Sequence, residues 1–316
     1  MSLGAIGTDT GGSIRVPSAC CGITGLKPTY GRVSCYGVVP LSWSLDHVGP
    51  MGRSAEDCAI IFDAIAKYDP RDPNSVSGPS ITPGGSTNTS ALIAGPEGRS
   101  PLSLQGLKLG VPQESYVTPL HPEVRAAWKA ALRVFEEEGA KLIDVELQRP
   151  TMALYRTVQK PEASLTHNQQ GWYPEKKDLY TDLVRTRIEE GSQIHAIDYL
   201  RAQQERRALA GSFRSLLREI DALVLPTIPI PAPRADQAGK DIEIDGIGEN
   251  ATDALLRLTM PFNLTGLPAV SFPCGFSSEG LPIGLQVAGK PFEEATILRI
   301  AHAYQQLTDW HRRDLP

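Results

Sequence analysis

The stretch Gly7-Thr-Asp-Thr-Gly-Gly-Ser-Ile-Arg15 concentrates residue types that could do chemistry. Adjacent glycines ahead of Ser13 leave no Cβ to block approach. Gly11-Gly12 ahead of the serine can therefore turn tightly and point successive backbone N–H groups toward one spot. Such a concavity binds an anion, and two kinds suit it. A phosphate is one, but a phosphate cradle continues into Lys-Ser/Thr, where this chain has Ile14-Arg15. The other is the alkoxide that develops when a serine attacks a carbonyl, with the N–H groups as an oxyanion hole. A plainer reading competes: Ser after Gly-Gly and ahead of Ile-Arg-Val-Pro is also a common helix N-cap. Asp9 and Arg15 bracket the loop at a spacing that suits an ion pair across the turn, or two side chains that simply face water.

The elements around this loop follow from apolar periodicity. Residues 1–7 read as a strand running into the Gly-rich turn, and they carry neither the basic start nor the long apolar core of a signal peptide. Arg53 to Lys67 has helical spacing with Ser54 as N-cap. Leu107–Val111, Pro122–Glu138 and Ala140–Val145 read as strand, helix, strand, which predicts a parallel sheet flanked by helices. Helices are predicted over Met152–Asn168, Asp178–Glu190 and Ala196–Glu219. Ala222–Leu225 is a buried-type strand, stopped by Pro-Thr-Ile-Pro-Ile-Pro. Ala232–Asn250 reads as a polar loop. Ala269–Phe272 and Ile283–Val287 read as strands joined by a hairpin-like turn, and Glu293–Gln306 as a closing helix. Residues 70–105, rich in Pro, Gly, Ser, Thr and Asn, read as a surface excursion.

Bulk composition narrows the function classes. A chain of 316 residues with 41% hydrophobic and 21% charged residues has the profile of a soluble globular enzyme rather than a disordered or fibrous chain. A net charge of -5 with no basic run beyond Arg312-Arg313 argues against direct nucleic-acid binding. No apolar run approaches the roughly 20 residues of a membrane span. Cys20, Cys21, Cys35, Cys58 and Cys274 form no Cys-x-x-Cys pair and read as free thiols in a reducing, cytoplasmic setting. The histidines show no ligand spacing, so neither metal nor cofactor is implied.

Gly7-Thr-Asp-Thr-Gly-Gly-Ser-Ile-Arg-Val-Pro17, followed by Cys21-Gly-Ile-Thr-Gly-Leu-Lys-Pro-Thr-Tyr-Gly-Arg-Val-Ser34, closely resembles the C-terminal half of the amidase signature. Ser44-Leu-Asp-His-Val-Gly-Pro50, Asp221-Ala-Leu-Val-Leu-Pro-Thr227, Asn263-Leu-Thr-Gly-Leu-Pro-Ala269, Gly280-Leu-Pro-Ile-Gly-Leu-Gln286 and Thr308-Asp-Trp-His311 extend the likeness along the chain. The resemblance implies one amidase-signature domain over 1–316, α/β with a mixed, mostly parallel sheet, lacking its N-terminal segment. It also implies a Ser, cis-Ser, Lys triad that hydrolyses amides. Carried over, Ser13 is the nucleophile, the amides of Thr10, Gly11, Gly12 and Ser13 form the oxyanion hole, and Asp9 and Arg15 brace the loop.

The relay serine and the lysine of that triad belong upstream, beyond the twelve residues that precede Ser13. By the resemblance, Lys27 sits in a structural turn and His47 in a loop, so neither is a ready replacement base. The expectation is a chain inactive by itself, with an uncovered apolar face that favours homo-oligomers or aggregation. Cys35-Tyr-Gly-Val-Val and Ser42-Trp-Ser-Leu-Asp46 also resemble the A subunit of the glutamyl-/aspartyl-tRNA amidotransferases. That branch usually has Asp three residues before the Thr matching Thr259, where this chain has Leu256; a stand-alone amidase acting on a small amide is favoured. A truncated, non-catalytic remnant acting as a partner is the reading from another class. Arg185 and Arg187, near the substrate mouth by resemblance, read as solvated helix charges.

Overall fold

A computed structural model describes residues 3–78 and 103–313. Strand β1 (Gly4–Asp9) runs through the Gly-rich turn into helix α1 (Arg15–Cys20), then β2 (Thr24–Lys27), β3 (His47–Gly52) and α2 (Ala55–Ile65). Next come β4 (Lys108–Pro112), the short α3 (Glu114–Val117), α4 (Pro122–Glu137) and β5 (Lys141–Val145). Helices α5 (Met152–Gln169), α6 (Asp182–Ser192) and α7 (Ala196–Leu216) precede β6 (Ala222–Pro226). A hairpin of β7 (Asp241–Ile244) and β8 (Ile247–Asn250) leads to α8 (Ala251–Leu256) and α9 (Met260–Leu264). The chain closes with β9 (Ala269–Phe276), β10 (Pro282–Gly289) and α10 (Glu294–Leu307).

Local chemistry accounts for these boundaries. Ser54 and Asp57 form a capping box at α2: the Ser54 hydroxyl accepts from Asp57 N at 3.1 Å and the Asp57 carboxylate accepts from Ser54 N at 2.9 Å. Pro122 opens α4, whose Val124, Trp128, Ala131 and Phe135 form one buried stripe at helical spacing. Strands β6 and β10 are buried along their whole length, as strands covered on both faces must be.

Among the described residues, eight strands form one mixed sheet in the order β1-β3-β2-β9-β10-β6-β4-β5. The α/β class with helices flanking a mixed sheet is as the sequence implies. Parallel pairing joins β4 to β5 and to β6, where α4 makes the crossover from β4 to β5. It does not extend further: β1 with β3, β3 with β2, β2 with β9, β9 with β10 and β10 with β6 are antiparallel. The main core packs Leu26, Val224, Phe272 and Leu285 of the sheet against Phe62, Phe135 and Tyr304 of α2, α4 and α10. A second cluster, Leu45, Leu154, Tyr155, Val158, Met260 and Leu264, lies where α5 and α9 meet the loop that leads into β3.

Two segments differ from the sequence reading. Ala232–Asn250 is not a plain loop: Asp241–Asn250 is the β7–β8 hairpin, closed by Asp245 and Gly246 with φ of 51° and 78°. Two consecutive left-handed residues are what a two-residue hairpin turn with the strand twist requires, and Asp-Gly supplies them. The helix expected over Asp178–Glu190 is split into a 3₁₀ turn, Lys177–Leu179, and α6, because Thr181 is extended at φ -64°, ψ 153°. Most of the 70–105 excursion lies outside the described residues.

Candidate active site

The turn between β1 and α1 is held from beneath by a buried ion pair. Arg15 Nη2 lies 3.0 Å from Asp9 Oδ1 and Nε lies 3.0 Å from Oδ2, with both side chains fully buried. Its remaining N–H groups donate to Thr259 O at 2.8 Å, Gln286 Oε1 at 2.7 Å and Asn263 Oδ1 at 2.7 Å. Every guanidinium donor is thereby used, which is what makes a fully buried arginine tolerable. Asp9 Oδ2 also accepts the Ile14 and Arg15 backbone N–H groups, and Asn263 Nδ2 donates to Asp9 Oδ1. Burial alone would raise the Asp9 pKa, but the Arg15 guanidinium holds it well below the usual carboxylate range.

The loop above the pair is equally constrained. Thr10 Oγ1 donates to Asp46 Oδ1 at 2.6 Å, and Asp46 Oδ2 accepts Leu41 N and Ser42 N. Burial pushes the Asp46 carboxyl up in spite of those bonds. Thr259 Oγ1 donates to Gly11 O at 2.6 Å. A Cβ on Gly11 would meet the Tyr155 hydroxyl at 2.5 Å, and one on Gly12, whose φ is +150°, would meet Thr259 Oγ1 at 2.4 Å. Only glycine fits at either position.

Ser13 stands exposed at the end of this turn and its hydroxyl accepts no hydrogen bond from a helix N–H; the first turn of α1 has no side-chain cap. The N-cap reading therefore fails. Among the described residues, none of the backbone N–H groups of Thr10, Gly11, Gly12 and Ser13 donates a hydrogen bond within the protein. Thr10, Gly11 and Gly12 are buried, so these are donors withdrawn from bulk water and left unspent. Gly12 and Ser13 form one wall of a cleft of about 450 Å³, with Val16 and Pro17 of α1 beside them and Thr252, Leu255 and Leu256 of α8 across.

Neither alternative base is hydrogen-bonded to Ser13. Lys27 is fully buried, its Nζ donating to Leu267 O at 2.5 Å and Pro28 O at 3.1 Å. Burial, with the Arg15 charge adding to it, pushes its pKa well below the ordinary lysine range. His47 opens β3 rather than lying in a loop, because it pairs with Asp9 across the β1–β3 ladder. Its Nδ1 lies 2.6 Å from Leu45 O, and burial pushes its pKa well down. Arg185 pairs with Asp182, and Arg187 is exposed on α6.

Residues 1–298 match the profile of the Amidase family. The chain belongs to the amidase-signature family. It is 39% identical to the A subunit of the glutamyl-tRNA(Gln) amidotransferase of Chloroflexus aggregans, over 98% of this chain and 64% of that protein. It is also 39% identical to an amidase of Pseudomonas putida, over 98% of this chain and 63% of that protein. The chain thus spans a little under two thirds of these relatives' length. The solved 6-aminohexanoate cyclic dimer hydrolase superposes with a TM-score of 0.84 at 26% identity, covering 99% of this chain and 66% of that one.

In this amidase-signature chain the residues that sequence reasoning missed are those far from the loop in sequence. Thr259, Asn263 and Gln286 close around Arg15, Asp46 holds Thr10, and Tyr155 caps Gly11. The segments beginning at Asn263 and ending at Gln286 stand out as motifs, but nothing in their spacing says that both end on one guanidinium.

Proposed function

We propose that Ser13 is the acylating nucleophile of an amide-bond hydrolase, with the Thr10–Ser13 amides as its oxyanion hole and Asp9 and Arg15 bracing the loop. The observation that carries this reading is an exposed hydroxyl on a cleft wall, at the end of a run of backbone N–H groups with no acceptor. Such donors, already desolvated and fixed, stabilise the oxyanion without reorganising during reaction. The amidase relatives support the reaction class. A phosphate cradle is disfavoured because Ile14-Arg15 replaces Lys-Ser/Thr and Arg15 is wholly engaged beneath the loop.

A stand-alone amidase acting on a small amide fits better than a glutamine-using member of an amidotransferase complex, since Leu256 stands where that branch usually carries Asp. A boronic acid offers a direct test, because it forms a tetrahedral adduct on a serine hydroxyl held in an oxyanion hole. Boron NMR with phenylboronic acid should show the tetrahedral signal with the intact chain and none with Ser13→Ala. A signal of equal size in Ser13→Ala would overturn the assignment.

No lysine, histidine or carboxylate among the described residues is hydrogen-bonded to the Ser13 hydroxyl, which supports the reading of a chain without its general base. The chain by itself should therefore turn over aryl amides about 10⁴- to 10⁶-fold below ordinary enzyme rates, the loss expected for an incomplete triad. Steady-state assay of the purified chain checks this, and rates of about 10 s⁻¹ or more would contradict it.

A further inference from the structure

We infer that the cleft beside Ser13 is an acyl subsite built for an uncharged, apolar acyl group, with Leu255 and Leu256 setting that preference. The inference rests on the reading of Ser13 as nucleophile and names the substrate class for that site. Val16, Pro17, Ala251, Leu255 and Leu256 line the cleft with carbon, and its volume of about 450 Å³ lies in the range that takes a small molecule. Among the described residues, the one charged side chain on its wall is Arg234, which pairs with Asp236 and is 80% exposed, so it sits at the rim. The first turn of α8 offers no spare anion donor at Thr252, whose N–H is taken by Asn250 Oδ1 at 3.1 Å.

Away from the Thr10–Ser13 amides, which the reacting carbonyl oxygen takes, a carboxylate or ammonium carried into this space would lose its water and gain no buried partner. An alkyl or aryl group gains roughly fourfold in affinity for each buried methylene. Both leucines are fixed in place: Leu256 packs against the cluster of Leu154, Tyr155 and Met260, and Leu255 against that of Ile230, Ile244 and Ala254. The wall is thus a rigid apolar surface contributed by the segment between β6 and α9.

Calorimetric titration of the full chain with butanamide, hexanamide, phenylacetamide, L-glutamine and glutaramate (the monoamide of glutaric acid) tests the inference. Affinity should rise roughly fourfold per methylene from butanamide to hexanamide, phenylacetamide should bind, and the two charged amides should bind at least tenfold more weakly. Leu256→Asp should weaken hexanamide tenfold or more, while Leu256→Met keeps it. Thr252→Glu places a carboxylate on the same wall from a half-buried position and should weaken hexanamide likewise, which covers the case of a misfolded Leu256→Asp. A flat series, no binding of any apolar amide, or glutamine or glutaramate binding as well as hexanamide would overturn the inference. The boronate test is separate: a Ser13 adduct with a flat amide series leaves the nucleophile standing and removes the subsite. Selective amide binding without an adduct does the reverse.

Discussion

Arg15 shows how one side chain can hold a loop it does not belong to. It ties Asp9 to Thr259, Asn263 and Gln286, so residues separated by more than 240 positions converge under Ser13. Arg15→Lys keeps the charge but cannot fill that fork of donors, and it strands buried acceptors. It should cost about 3–5 kcal/mol, the penalty for breaking a buried pair, read as a lower midpoint in urea unfolding. A loss under about 1 kcal/mol would mean that the pair contributes little beyond the geometry of the turn. Gly11→Ala makes a narrower test of the same loop. Its Cβ would meet Tyr155, so overpacking of about 1–3 kcal/mol is expected, with Tyr155→Phe restoring part of the loss. If Tyr155→Phe restored none of it, the contact with the hydroxyl would not be the cause.

At the scale of elements, the site is a meeting of short pieces. The first turn of α1 supplies one wall of the cleft and α8 the other, and α8 follows directly from the β7–β8 hairpin. That hairpin turns on Asp245 and Gly246, and a Gly246→Val side chain cannot take φ of 78° without strain. The substitution should loosen the hairpin, raising hydrogen exchange over 241–250 while leaving β9 and β10 protected. Unchanged exchange there would show that the pairing does not depend on its turn. The α2 capping box is a control of known size away from the cleft: Ser54→Ala should cost about 1 kcal/mol in the same unfolding assay.

Across the whole molecule, buried titratable groups set the response to pH. Burial lowers the pKa of His47, and His167, His302 and His311 are lowered in the same direction. The unfolded chain takes up protons at these histidines as pH falls through 6.5, while the folded chain resists, so stability falls below that pH. Asp46, raised by burial, opposes this between its ordinary 3.8 and its folded value, but it is one group against four. Asp9, depressed by Arg15, is stabilising above 3.8 and loses that contribution as pH drops further. Melting temperature should therefore decline from pH 7 to pH 5 and steepen below pH 4. A melting temperature that rose on acidification would reverse the sign assigned to the histidines. The far edge of the sheet carries a different liability: β1 pairs only with β3 among the described residues, and Leu3, 95% exposed, and Ile6, 57% exposed, lie along it beside Ile60 of α2. An unpaired, apolar edge favours association. Light scattering should show concentration-dependent self-association, which Ile6→Lys reduces.

Much of this was legible before any coordinates. Period and punctuation placed α2, α4, α5, α7, β4, β5 and β10 to within a few residues, because capping, proline and apolar spacing act locally. The Gly-Gly-Ser run marked the loop for the same reason: a tight turn needs residues without a Cβ at the turn itself. The Asp-Gly signal of the β7–β8 hairpin was also present, but the charged residues around it read as solvent-facing loop. Sequence could not decide whether Ser13 capped a helix or stood free, whether Asp9 and Arg15 met water or each other, or which residues faced Ser13 across the cleft. Those answers depend on long-range packing of α9 and β10 beneath the loop and of α8 opposite it. Only the folded chain removes water from the pair and brings α8 opposite α1, since no local rule links residue 15 to residue 286 or residue 13 to residue 256.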